Sequence, residues 1–147
     1  MNVIYSLDEK HIAQLHELYQ QEWWSKDRTI FETRKCVSGS QVCVGLVDGQ
    51  NNLIGFARVL TDYIFKALIF DLIVQKNERG SGFGEKLISF VKLHSQLQGV
   101  KHFELYCLPE MFSFYIDQGF STEVGEVRLM RQENSLRQYR ETPIVVP

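Results

Sequence analysis

Val74-Gln75-Lys76-Asn77-Glu78-Arg79-Gly80-Ser81-Gly82-Phe83-Gly84 joins an apolar run to an amphipathic segment through an arginine and three glycines. Glycine removes side chains that would hold a ligand away from the backbone. A helix starting here turns unpaired N–H groups and its positive dipole end toward an anion. The stretch therefore suits a phosphate. A P-loop would need Gly-x-x-x-x-Gly-Lys-Ser/Thr, whereas Glu85 and Lys86 follow Gly84. A dinucleotide fingerprint would need Gly-x-Gly-x-x-Gly early in a strand-helix-strand unit, whereas Gly80-x-Gly82-x-Gly84 lies in mid-chain. What remains is Arg79-x-x-Gly82-x-Gly84, or an ordinary glycine-rich connection.

Downstream, Phe83, Leu87, Phe90, Val91 and His94 follow helical spacing, which predicts a helix over 82–98 stopped by Gly99. Upstream, 67–74 is a nearly continuous apolar strand of the kind found at a sheet's centre. Residues 42–47 and 53–61 read as a hairpin about the turn Asp48-Gly49-Gln50-Asn51-Asn52. Near the start, 3–5 is a short strand, and Ser6-Leu7-Asp8-Glu9 is a capping box opening a helix with Ile12, Leu15, Leu18 and Tyr19 on its apolar side. A second helical piece spans 29–37 and stops near Ser38-Gly39-Ser40. Toward the end, 103–107 is a strand, a helix entered near Pro109 stops at Gly119, and 121–130 is a last strand.

The 147 residues suit one domain over 1–147, large enough to bury about 70% of the surface of its unfolded chain. The apolar end Pro143-Ile144-Val145-Val146-Pro147 belongs to a tail, 134–147, that is either mobile or packed on a second copy. With 44% hydrophobic and 23% charged residues, no membrane-length apolar run and no signal-peptide start, the expectation is a soluble cytoplasmic protein. A net charge of −2 without a basic run argues against a nucleic-acid surface. Cys36, Cys43 and Cys107 suit neither a disulfide framework nor a zinc site, and the four histidines lack ligand spacing, so no metal is expected.

A second segment bears on the glycine loop. In Leu105-Tyr106-Cys107-Leu108-Pro109-Glu110-Met111-Phe112-Ser113-Phe114-Tyr115-Ile116-Asp117-Gln118-Gly119-Phe120, Phe114-Tyr115 and Gly119-Phe120 form Phe-Tyr-x-x-x-Gly-Phe. Both segments, in this order and separation, resemble those of the GCN5-related N-acetyltransferases, in particular small bacterial single-domain members. Their coenzyme loop reads Gln/Arg-x-x-Gly-x-Gly/Ala. The resemblance covers about two-thirds of the chain. One departure is Leu108, where many members carry an asparagine that contacts the pantetheine arm. The resemblance implies an α/β (α+β) acyl-CoA N-acyltransferase fold: a twisted, mostly antiparallel mixed sheet whose central strands splay to admit acetyl-CoA.

The family also implies roles. Arg79, Gly80, Ser81, Gly82, Phe83 and Gly84 would hold the pyrophosphate, and the backbone of Leu72, Ile73 and Val74 would pair with the pantetheine arm and donate to the thioester oxygen. Tyr115 would be the general acid, or else a packing tyrosine. Asp71, a carboxylate in an apolar strand, is either the base or the buried partner of an arginine such as Arg58. Trp24-Ser25-Lys26-Asp27-Arg28 and Phe56-Ala57-Arg58-Val59-Leu60-Thr61-Asp62 resemble segments of small bacterial members. They offer Trp24, Arg28, Arg58 and Asp62 as acceptor-site residues, or as a lid over the core. The expected reaction is direct acetyl transfer in a ternary complex to a small-molecule or peptide amine, with a homodimer as the family's common assembly. A coenzyme-binding regulatory module without turnover is the alternative.

Overall fold

The computed structural model describes residues 1–137. The chain builds one five-stranded sheet in the order β1-β2-β3-β4-β5. Strands β1 (Asn2–Ile4), β2 (Val42–Val47), β3 (Leu53–Thr61) and β4 (Lys66–Val74) pair antiparallel in succession, and β5 (His102–Leu105) lies parallel to β4. All six residues of β2 are buried because helices cover both faces, which hides any alternation. The β2–β3 turn is fastened by Asp48, whose carboxylate accepts from Gln50 N at 2.9 Å and Asn52 N at 2.9 Å.

Helix α3 (Phe83–Lys92) covers one face, placing Leu87, Ile88 and Val91 in a cluster with Val44, Leu46, Ala57, Val59 and Ile69. Helices α1 (Glu9–Gln20) and α2 (Ile30–Ser38) cover the other, where Leu15, Leu18 and Tyr19 meet Val47, Leu53, Phe56 and Ile73. Each fully buried aliphatic or aromatic side chain in these layers contributes about 1.5–3 kcal/mol. A short helix, α4 (Phe112–Asp117), follows a 3-10 turn at Pro109–Met111.

Three sequence expectations need correction. The first cap is Asp8, not Ser6: its carboxylate accepts from His11 N at 2.9 Å, and His11 reaches back to Asp8 N, completing the box two residues later. Helix α3 ends at Lys92 because His94 takes extended backbone and accepts from Gln96 N at 3.2 Å, while Gln98 donates to the Lys92 and His94 carbonyls. Residues 121–130 form no strand. Gly125 there takes φ +79°, which breaks extended backbone, and Val124, Val127, Leu129 and Met130 are exposed. The expectation for 143–147 lies outside the described residues.

Two departures from regular pairing shape the middle of the sheet. The β4–β5 register ends at Ile69↔Leu105, so beyond it no pairing joins Phe70–Val74 to the residues after Leu105. Across from β3, Arg58 pairs with Phe70 but Phe56 pairs with Ile73, so Ala57 faces an extra residue. Asp71 takes the strain at φ +58°. In this bulge two successive side chains fall on one face. The Arg58 guanidinium lies 5.1 Å over the Phe70 ring and also bonds Asp71.

Candidate active site

The glycine loop is ordered by backbone conformation. Residues Lys76–Glu78 make one 3-10 turn, after which Gly80 at φ +84° and Gly82 at φ +80° adopt left-handed backbone that side chains rarely tolerate. Gly82 is the N-cap of α3 and among the described residues no side-chain hydrogen bond caps the helix's first turn. A Cβ at Gly80 would meet nothing within 4 Å, while one at Gly82, the cap itself, would stand 3.7 Å from Glu85 Oε2, so the approach is open at Gly80 but a carboxylate of the first turn already lies beside the cap. Ser81 is exposed and Phe83 half-buried against the α3 cluster. Gly84 has a different reason: a Cβ there would stand 3.2 Å from Phe114 Cζ, so its smallness lets α4 approach α3.

Arg79 does not reach freely from the loop. Its Nε donates to the Val74 carbonyl at 3.0 Å, and its Nη2 pairs with Glu22 just past the end of α1. The loop is thereby tied to the opposite layer, a contact that local sequence spacing gave no sign of.

Leu72 and Val74 turn their side chains into the α3 cluster, and Ile73 turns into the α1–α2 cluster. Tyr115 packs on the α3 side, with the Phe114 ring at 4.9 Å and the Phe120 ring at 5.9 Å. Its hydroxyl makes no hydrogen bond among the described residues. Burial pushes its pKa up to about 12, with the nearby Cys107 thiol adding to the rise, so the phenol holds its proton throughout the neutral range. Leu108, half-exposed, opens the 3-10 turn before α4.

On the α1–α2 side four distant residues converge. Asp71 Oδ2 accepts from Tyr19 OH at 2.8 Å, Arg28 Nη1 at 2.7 Å and Arg58 Nε at 2.7 Å, while Oδ1 accepts from Arg28 Nη2 at 3.2 Å. The Asp71 side chain is 6% exposed. Burial works to raise its pKa, but hydrogen bonds and charge from Arg28 and Arg58 outweigh it and hold the carboxyl below the usual carboxylate range. Burial, reinforced by Asp71, raises the pKa of Tyr19, which therefore remains a donor. Arg28 also lies 4.5 Å over the Tyr19 ring and 5.4 Å over the Trp24 ring. Arg58 Nη1 reaches Ser40 Oγ at 3.4 Å. Cys36 lies beside this cluster, 3.9 Å from Tyr19 OH.

Of the four acceptor-site expectations, Trp24, Arg28 and Arg58 come together here, and Asp62 does not join them. Its carboxylate accepts from Ile64 N at 3.0 Å, Phe65 N at 2.8 Å and Lys66 N at 3.2 Å, which shapes the β3–β4 hairpin. Tyr19 read only as a packing position, since a buried tyrosine and a leucine satisfy the same helical spacing. Among the described residues no helix is long and apolar enough to cross a membrane.

Residues 38–122, more than half of the chain, match the family model described as acetyltransferase (GNAT) domain. An uncharacterized N-acetyltransferase ycf52-like protein from Prochlorococcus marinus is 31% identical over 115 residues, 76% of this chain and 63% of the relative. This chain therefore spans less than two-thirds of that protein's length. Serotonin N-acetyltransferase 2, chloroplastic, from Oryza sativa is 28% identical over 74% of this chain and 56% of its own. A solved structure from Xanthomonas campestris, described as belonging to the GNAT family, superposes with a TM-score of 0.74 at 28% identity, covering 91% of this chain and 94% of that one. An aminoglycoside 6'-N-acetyltransferase solved with coenzyme A shares the fold, with a TM-score of 0.61 at 20% identity over 71% of this chain and 61% of that one. The uncapped glycine-bordered helix end, the opening between β4 and β5, and these relationships agree: the chain belongs to the GNAT family of N-acetyltransferases.

Proposed function

We propose that the protein transfers an acetyl group from acetyl-CoA to an amine by direct attack within a ternary complex. The observation that carries this reading is β4 itself, whose pairing with β5 ends at Ile69↔Leu105 and which has α3 and Tyr115 packed on one face and the arginine cluster on the other.

The pyrophosphate would lie against the N–H groups at Gly80, Gly82, Phe83 and Gly84, with Ser81 at the rim. Arg79 contributes by fastening the loop to Glu22. The thioester supplies an acetyl group activated for attack. Backbone of Leu72, Ile73 and Val74 lines the arm, and an N–H here would donate to the carbonyl oxygen as it gains charge. The amine nitrogen forms a bond to the carbonyl carbon, the carbon–sulfur bond breaks, the nitrogen loses a proton, and the thiolate takes one from Tyr115. A phenol with its pKa at about 12 is protonated when needed and has no competing hydrogen bond among the described residues.

Asp71 fits the structural one of its two roles. A carboxylate held by two guanidiniums and a phenol, with a depressed pKa, is a weak base, and its geometry serves to position Arg28 and Arg58. The amine's proton then leaves through water. The acceptor would enter from the α1–α2 side past Trp24.

The test is calorimetric titration with acetyl-CoA beside Gly82→Trp, followed by detection of released thiol during an amine screen. Micromolar binding abolished by the tryptophan, with thiol release dependent on an amine, is expected. No binding by folded wild-type protein overturns the reading. Binding without turnover across the screen favours the regulatory alternative.

A further inference from the structure

The cluster around Asp71 is not charge-balanced. Two guanidiniums share one carboxylate, and neither Arg28 nor Arg58 pairs with any other carboxylate among the described residues. Glu22, nearby in sequence, is occupied by Arg79. One positive charge is left over in a setting where Arg28 is 26% and Arg58 14% exposed, so water screens it less than at an open surface. The ring faces of Trp24, Tyr19 and Phe70 offset part of that charge without supplying hydrogen-bond acceptors.

The donors tell the same story. Arg28 Nη1 and Nη2 and Arg58 Nε are committed to Asp71, and Arg58 Nη1 to Ser40. Arg28 Nε and Arg58 Nη2 have no hydrogen-bond partner among the described residues, and neither is sealed from solvent. Asp71 thus holds the Arg28 fork and the Arg58 Nε while leaving N–H groups to point elsewhere. Phe70 borders these groups, and its ring meets Tyr106 at 5.9 Å where β4 and β5 part.

We propose that the acceptor amine carries an oxyanion, a carboxylate or a phosphate, which docks on Arg28 and Arg58 while its apolar body lies against Trp24, Phe70 and Tyr106. The inference rests on the transferase reading for the word acceptor, but the anion site itself does not need coenzyme. Amino acids and phosphorylated amines are then preferred over polyamines and plain arylalkylamines. Asp71 is a positioning residue in this scheme.

Trp24 reports on the site, because it lies beside Arg28 and only two tryptophans are present. In a Trp23→Phe background, its fluorescence is titrated with two matched pairs: L-phenylalanine against phenethylamine, and 2-aminoethyl phosphate against ethanolamine. The anionic member of at least one pair should bind about 10- to 100-fold more tightly, the value expected for charge-assisted hydrogen bonds. Which pair responds separates carboxylate from phosphate. The preference should shrink in 0.5 M salt and fall close to unity in Arg28→Gln or Arg58→Gln. Should those variants unfold on melting, Arg28→Lys retains charge without the fork and should keep only part of the preference. Equal or tighter binding of phenethylamine and ethanolamine, or a preference unchanged in folded glutamine variants, overturns the proposal. A protein that acetylates phenethylamine as readily as phenylalanine keeps the transferase reading and loses this one. An anion preference without acetyl-CoA binding does the reverse.

Discussion

On the α3 side of β4, Ala67, Ile69, Leu72 and Val74 join a layer of aliphatic side chains, whereas on the α1–α2 side the same strand presents Asp71 to two arginines and a tyrosine. The first face is held by burial, which is non-directional and tolerates imperfect fit. The second is held by four directed bonds to one carboxylate, where loss of one partner leaves charge stranded. The comparison teaches where each region is fragile: the apolar face should yield gradually to substitution, the ionic face abruptly.

The sharpest way to break this contrast is Asp71→Ala, which leaves two guanidiniums without their counter-ion and should cost about 3–5 kcal/mol in chemical denaturation. A loss below 1 kcal/mol would mean the cluster does not hold the α1–α2 layer. The pH dependence sharpens the same point. The folded pKa of Asp71 lies below its unfolded value, so the unfolded chain takes up the proton first. Its stabilisation is complete above the ordinary carboxylate range and is lost as pH falls through that range toward the depressed pKa. Melting temperature should fall more steeply below about pH 4 in wild type than in Asp71→Asn. Parallel acid limbs would rule this out.

Next in size, Tyr115→Phe should lower turnover by about 100-fold while acetyl-CoA affinity and melting temperature stay near wild type, since no hydrogen bond to the described residues is removed. Unchanged turnover removes Tyr115 from the chemistry. Gly82→Ala forces a side chain into φ +80° and should cost about 1–2 kcal/mol of stability, with weaker coenzyme binding by calorimetry. Smallest is Arg79→Ala. Its Glu22 pair lies at a half-exposed position, so denaturation should change by no more than about 1 kcal/mol. A larger loss would make the tie between loop and α1 a main support of the sheet's two layers.

The same contrast explains what the sequence could reveal. Leu87 and Val91, four apart on one helix, and Gly82 before them are local signals, so the start of α3 and the glycine turn that precedes it could be read directly. Phe-Tyr-x-x-x-Gly-Phe was equally local. The ionic cluster draws on positions 19, 28, 58 and 71, and no spacing rule links them. Asp71 stood out because a carboxylate among aliphatics needs a partner, yet the choice of partners depends on how α1 and the segment after it pack. Asp62 was grouped with Arg58 by its motif, but the two side chains part: Arg58 joins the cluster while the Asp62 carboxylate accepts from N–H groups of its own turn. Residues 121–130 carry apolar residues at strand-like intervals, and Gly125 with positive φ is the local feature that defeats the pattern.

The extra residue in β4 also settles a question of parity. Ala67 and Ile69 before the bulge, and Leu72 and Val74 after it, serve one face although an odd step separates the two pairs. Removing Asp71 would restore an even count: Leu72 and Val74 would remain on the α3 side, and Ile73 would still oppose them. The sheet could therefore exist in a shorter form with its aliphatic layer intact and without the carboxylate that organises Arg28 and Arg58. A single codon's length separates a plain sheet from one equipped with a charged centre.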